Sequence, residues 1–148
     1  MIRIRPFTHR TPWPMSRRRL AGSVLEMVLT LWLLLNVTFG AIEFGYYFFV
    51  RSTMDGATRE GVRNAIVSGA TDTTVDAAAD NVLSAAGLNT SQFTISISPD
   101  MSTSPAVGTN ITVTITATWG TVGSGFRPLA LIGSGKTLTA SSVMRKES

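Results

Sequence analysis

The sequence predicts an α+β protein in which a long N-terminal transmembrane helix continues into a head with a short second helix and a small antiparallel sheet of about three strands. Two patterns predict this fold class. The chain is almost entirely apolar from Leu20 to Val50. Later segments alternate apolar residues with Thr or Ser, which is typical of strands that bury one face.

The basic residues are concentrated at the N-terminus. Six of the 13 Lys and Arg residues precede residue 20, and no acidic residue lies among them. The remainder of the chain carries seven basic and nine acidic residues, so its charge does not indicate nucleic-acid binding. Three arginines, Arg17 to Arg19, directly precede the apolar stretch. By the positive-inside rule they place the N-terminus in the cytoplasm and the head on the other side of the membrane.

The apolar stretch is long enough to cross a bilayer. Met27 to Ile42 contains no charge. A hydrocarbon core of about 30 Å needs about 20 helical residues, and we predict a transmembrane helix over residues 22–50. A cleavable secretory signal would have a shorter apolar run that ends in small residues. Here the run ends in aromatic residues, which suit a membrane–water interface: Phe44, Tyr46, Tyr47, Phe48 and Phe49.

Beyond the membrane, we predict that the helix extends through residues 51–70 and ends near Gly69. Residues 71–148 then form the head. Its second helix is predicted from Thr74 to Ala86, with Thr73 as the N-terminal cap.

Three strands are predicted in the head. Phe93 to Ser98 and Ile111 to Trp119 alternate apolar and polar residues, and Leu138 to Val143 begins a third strand. Because three short strands cannot bury a core alone, the helices must cover their apolar face.

The sequence offers little catalytic or metal-binding chemistry. It has no cysteine, and His9, the only histidine, lies in the basic segment. Asp72, Asp76 and Asp80 share a helix face, but no oxygen-rich loop completes a Ca²⁺ site. The run ALIGSGKT (residues 130–137) resembles a phosphate loop, yet a strand pattern follows it where a helix is needed. We therefore predict no enzyme, no catalytic residue, no metal, no cofactor and no small-molecule substrate.

Glu26 lies just inside the apolar stretch, where a carboxylate is costly and is usually functional. One interpretation is structural: Glu26 reaches the headgroups or pairs with Arg18 or Arg19. The other starts from the order of basic residues, small residues and Glu in RRRLAGSVLEM. This order resembles the leader of type IV pilins. In those proteins a membrane peptidase removes the basic segment, and the new amine of one subunit neutralises the Glu of a neighbour.

The stretch from Glu43 to Ala70, EFGYYFFVRSTMDGATREGVRNAIVSGA, resembles the TadE-like pseudopilins of tight-adherence (Flp-type) pilus systems. Members of that family carry an EFG-aromatic block, an arginine and an A-x-R-E-G-x-R-x-A run. The matching residues here are Glu43, Phe44, Gly45, Arg51, Ala57, Arg59, Glu60, Gly61, Arg63 and Ala65. The C-terminal LTASSVMRKE is more loosely similar. The resemblance implies a pilin-like head and an assembly role for Glu26 and Glu43.

The resemblance also implies removal of residues 1–21 as a cytoplasmic leader. Cleavage after Gly22 makes Glu26 the fourth residue of the mature chain. Cleavage after Ala21 makes it the fifth, which is the family's spacing, but leaves Ala where the family prefers Gly. We favour the Ala21–Gly22 bond, and Ala21, Gly22 and Ser23 are the predicted processing residues.

The leading hypothesis is a non-catalytic minor pilin or pseudopilin that takes part in assembling a tight-adherence pilus. It implies a single-pass inner-membrane protein with a cytoplasmic N-terminus and a periplasmic head. The implied partners are other pilins or pseudopilins, the prepilin peptidase, the inner-membrane assembly platform and membrane lipid. The alternative is a signal-anchored extracytoplasmic binding or adhesion domain that does not enter a filament.

Overall fold

A computed structural model describes residues 17–122 and 127–147 of the chain. The elements follow the order α1 (Arg17–Ala65), α2 (Asp72–Ala85), β1 (Phe93–Ser98), β2 (Asn110–Thr118), α3 (Trp119–Val122) and β3 (Thr137–Arg145). This arrangement confirms the predicted α+β class. The first 16 residues, which make up most of the predicted leader, lie outside the described residues.

The chain divides after Asn36 into two compact units. In the first unit, α1 exposes large apolar side chains, including Leu25, Leu29 and Leu33. In the described part of the chain, α1 is long and apolar enough from Gly22 onward to cross a membrane, with a mean hydropathy of 1.8 over an 18-residue window. This composition is consistent with the predicted membrane anchor.

The second unit contains a three-stranded antiparallel sheet in the order β1-β2-β3. Ile95 of β1 and Ala140 of β3 both pair with Ile115 of the central strand. Alternate residues of β2 are buried, as the predicted alternation requires. The sequence-based boundaries differ by one residue at each end, because β2 begins at Asn110 and because Trp119 leaves the strand and begins α3.

The apolar face of the sheet packs against α1 and α2 in two clusters. The larger cluster contains Val50 and Met54 of α1, Leu83 of α2 and Ile115 of β2. The smaller cluster contains Val62 of α1, Val75 of α2 and Ile111 of β2. These clusters confirm that the helices cover the sheet. The buried Thr58 hydroxyl also lies 2.9 Å from Ser142 Oγ, which links α1 to β3.

Both helix boundaries after the apolar stretch differ from the prediction. α1 ends at Ala65, four residues before Gly69, which adopts a φ of 80° in the turn that follows. α2 begins at Asp72, and its cap is Thr71 rather than Thr73. Thr71 Oγ1 accepts the Thr74 N–H at 3.3 Å, and Thr74 Oγ1 accepts the Thr71 N–H at 3.0 Å. Several neighbouring threonines can cap a helix, and this reciprocal pair satisfies two free backbone donors.

Candidate functional site

The family-motif residues of α1 divide between two faces of the helix. Ala57, Gly61 and Ala65 recur every four residues and are buried against the head. The motif arginines, Arg51, Arg59 and Arg63, are exposed. The half-buried Glu60 lies beside them, and its Oε1 accepts a hydrogen bond from Asn64 at 3.2 Å. The motif therefore supplies both a small-residue packing face and a charged outer face.

Gly61 is a point of close approach between α1 and the head. A Cβ at this position would lie 3.3 Å from Val113 Cγ1 of β2. It would also lie 3.6 Å from Ala79 Cβ and 3.7 Å from Val75 Cγ1, both in α2. The absence of a side chain therefore lets α1, α2 and the sheet meet at one place.

The aromatic block is divided in the same way. Tyr46 and Tyr47 are half-buried, and their rings pack against Trp119 with centroid separations of 5.9 Å and 5.1 Å. Phe44, Phe48 and Phe49 remain exposed. The two tyrosines therefore also serve the packing of the head, and an interfacial position of the aromatic block stays a prediction. The sequence pattern did not reveal that Trp119 would reach them from the end of β2.

Glu43 is fully buried. Its Oε1 accepts a hydrogen bond from the backbone N–H of Ile132 at 3.0 Å. Its Oε2 is buried and has no hydrogen-bond partner among the described atoms. Glu43 thus fixes a segment 89 residues away along the chain, and its role in subunit assembly stays a prediction.

The segment that Glu43 holds is residues 127–132, here called the basal loop. Arg127 Nη2 donates to the carbonyl of Ile132 at 2.9 Å, which closes the loop on itself. Leu131 Cδ1 lies 3.3 Å from the point where a Cβ of Gly40 would stand. The basal loop therefore covers α1 from Gly40 to Glu43. This loop was not predicted from the sequence, where its only signal is the apolar run Pro-Leu-Ala-Leu-Ile after Arg127.

The run that resembles a phosphate loop does not have the required surroundings. The Lys136 N–H donates to the carbonyl of Gly133 at 3.2 Å in a turn. The strand β3 begins immediately afterwards, at Thr137. Within the described residues 127–147, no helix N-terminus follows this turn to receive a phosphate group.

The processing and assembly residues near the N-terminus lie on α1. Ala21, Gly22, Ser23 and Glu26 all have helical backbone, and the last three are exposed. The backbone carbonyl of Glu26 accepts a hydrogen bond from Thr30 Oγ1 at 2.9 Å. Glu26 belongs to the first compact unit and Glu43 to the second.

The predicted acidic face of α2 carries electrostatic strain. Burial raises the pKa of Asp76, and the charges of Asp72 and Asp80 raise it further. The nearby Asp100 behaves oppositely: its hydrogen bonds from Ser102 lower its pKa. Across residues 17–122 and 127–147, no group of three His, Cys, Asp or Glu side chains is arranged to hold a metal ion.

The comparison with protein-family models covers the helix that carries these features. Residues 21–63 match the TadE-like protein family. The predicted resemblance to TadE-like proteins is therefore confirmed over α1, from the proposed cleavage bond to the last motif arginine. The comparison with curated proteins gave no match, and the comparison with solved structures gave none either.

Proposed function

We propose that this chain is a minor pilin or pseudopilin that takes part in assembling a tight-adherence (Flp-type) pilus, without catalytic activity. The observation that carries the proposal is the TadE-like match over residues 21–63. That segment contains the candidate processing residues, both glutamates and the motif residues from Glu43 to Arg63. In this proposal α1 anchors the chain in the inner membrane, with the N-terminus in the cytoplasm and the head in the periplasm.

The proposed span is shorter than the one expected from hydropathy alone. From Glu43 onward, residues of the head cover one face of α1 and would compete with lipid for that face. We therefore place the lipid-embedded part at residues 22–42 rather than 22–50. These 21 residues would extend about 32 Å as a helix, close to the hydrocarbon thickness of about 30 Å.

The proposed mechanism is assembly through charge pairing. A prepilin peptidase removes the basic leader and creates a new α-amino group at Gly22 or Ser23. Glu26, exposed on an apolar helix, is costly to leave unpaired in lipid. The new amine of a neighbouring subunit gives it an opposite charge, so side-by-side packing of the helices is favoured. The other proposed partners are pilins or pseudopilins and the inner-membrane assembly platform.

The mature N-terminus tests this function directly. The full chain is co-expressed with the prepilin peptidase of its own system, and the membrane-extracted protein is analysed by mass spectrometry. We expect a chain that begins at Gly22 or Ser23 when the peptidase is active and a full-length chain when it is inactive. An intact leader with the active peptidase would refute processing and favour the alternative, a signal-anchored binding or adhesion domain.

The assembly step is tested by variants of Glu26. Glu26→Gln keeps the shape of the side chain but removes its charge, whereas Glu26→Asp keeps the charge. We expect membrane insertion with all variants, loss of pili with Glu26→Gln, and retention of some pili with Glu26→Asp. Asn36→Ala is the matched control, because it removes an uncharged polar group from the same helix. Normal pili in Glu26→Gln would refute the charge-pairing mechanism.

A further inference from the structure

The basal loop lies beside the end of the apolar stretch. The Ile132 N–H donates a hydrogen bond to Glu43, and Leu131 Cδ1 lies 3.3 Å from the point where a Cβ of Gly40 would stand. Gly40 belongs to the uncharged run that ends at Ile42. If the bilayer surrounds the uncharged run as far as Ile42, Leu131 lies at the same depth as the end of this run.

The side chains at this level are apolar and exposed. Leu131 is 57 % exposed although it touches α1, and it belongs to a loop whose residues after Arg127 are all apolar. On α1, Phe44 and Phe48 are exposed in the turns that follow Glu43. Exposed apolar side chains on the loop and on the adjoining part of α1 mark a candidate interaction surface at the end of the apolar stretch.

The loop is held firmly enough to present such a surface. The Ile132 N–H donates a hydrogen bond to Glu43, and the Ile132 carbonyl accepts a hydrogen bond from Arg127. Next to the loop, the N–H groups of Trp119 and Gly120 donate to the carbonyls of Lys136 and Ser134, each at 2.8 Å. These bonds fix both the loop and the segment that leads from it into β3.

We infer that the basal loop is a membrane-contacting element that places Leu131 among the acyl chains of the outer leaflet, next to α1. The occupant of the apolar surface is phospholipid. The head then rests on the bilayer through this loop as well as through the helix. This inference depends on the membrane anchoring in the proposed function, and labelling at separate positions distinguishes the failure of one from the failure of the other.

The natural absence of cysteine allows single labels to report on the contact. Leu131→Cys, Val107→Cys and Leu33→Cys are each prepared in the full chain, because the native sequence contributes no thiol. Val107 is 68 % exposed, in the loop before β2. That end of the sheet packs against Val62 and Ala65, about 30 Å along α1 from Glu43. Val107 is therefore the control on the head, and Leu33 is the control within the apolar helix.

Each variant is labelled with an environment-sensitive fluorophore and reconstituted into vesicles of phosphatidylethanolamine and phosphatidylglycerol, with or without acyl-chain nitroxide lipid. We expect a blue-shifted emission and nitroxide quenching at Leu131→Cys and Leu33→Cys, and neither effect at Val107→Cys. Quenching at Leu33→Cys with none at Leu131→Cys would overturn the inference and leave the anchor intact. A lack of quenching at both positions would overturn the anchor and the inference together. Equal quenching at Val107→Cys and Leu131→Cys would overturn the specific role of the loop.

Discussion

Replacing Gly61 with leucine should destabilise the head, although the same change in an isolated helix would stabilise it. A Cβ at Gly61 would already stand 3.3 Å from Val113 Cγ1, and Ala79 and Val75 close the other sides at 3.6 Å and 3.7 Å. All three neighbours are fully buried. The three further carbons of a leucine side chain therefore have no space unless α1 moves away from α2 and the sheet.

The magnitude follows from two opposing effects. Replacing glycine in a helix interior with leucine gains about 0.8–1 kcal/mol from helix propensity. Overfilling a packed core costs about 1–3 kcal/mol. Gly56 provides the matched control, because it is exposed on the same helix and a Cβ there would meet only Val82 Cγ1, at 3.9 Å. The propensity gain cancels in the comparison, so Gly61→Leu should be about 1–3 kcal/mol less stable than Gly56→Leu.

The comparison is made by urea unfolding of the full chain in detergent micelles. Near-ultraviolet circular dichroism reports on the packing of Tyr46 and Tyr47 against Trp119. We expect the unfolding midpoint to rise for Gly56→Leu and to fall for Gly61→Leu, relative to the native chain. Equal urea midpoints for the two leucine variants would refute the close packing at Gly61.

Three other predictions concern the head and its loop. Burial and the neighbouring carboxylates raise the pKa of Asp76, so the folded chain binds more protons than the unfolded chain above the ordinary value of 3.8. The free energy of unfolding should therefore fall as pH rises from that value to the raised pKa. Asp76→Asn should remove this fall and add about 0.2–0.5 kcal/mol of stability at pH 7 for each like-charged pair relieved. Urea titrations at several pH values measure both effects, and an unchanged pH profile in the variant would contradict the assignment to Asp76. Thr71→Ala should cost about 1 kcal/mol in thermal unfolding and Thr73→Ala clearly less, and equal losses would argue against Thr71 as the cap. Glu43→Ala should leave the buried Ile132 N–H without an acceptor, at a cost of about 1–3 kcal/mol, and should accelerate hydrogen exchange at Ile132. Glu43→Gln keeps an acceptor oxygen, so the Ile132 N–H should exchange more slowly in this variant than in Glu43→Ala. Identical exchange rates in the two variants would show that the hydrogen bond does not hold the loop.

The strands could be predicted from the sequence, because strand patterning depends on a local period of two residues. β1 occupies the predicted residues, and β2 and β3 differ from the prediction by a few residues at their ends. The start of α2 was harder to predict because adjacent threonines offered equivalent caps. Only the reciprocal bonds between Thr71 and Thr74 distinguish them.

The sequence motif named candidate residues on α1 but did not predict their environments. The motif includes Glu43 and Gly61, but it does not indicate which residues each of them contacts. The burial of Glu43 depends on a backbone N–H that is 89 residues away, and the contact at Gly61 depends on the register of β2. Such long-range contacts leave no periodic signal, and the basal loop, which has no regular structure, was missed for the same reason.

The packing of α1 against the head determines how mechanical load would pass through the molecule. Val50 and Ala65 are both buried against the head, and the 16 residues that they bound rise about 24 Å along the helix. A pull along the helix axis therefore acts on this whole contact in shear, so many side-chain contacts share the force at once. Between Val50 and Ala65 the described helix is continuous and packs directly on the head, so the head would move together with this part of the helix.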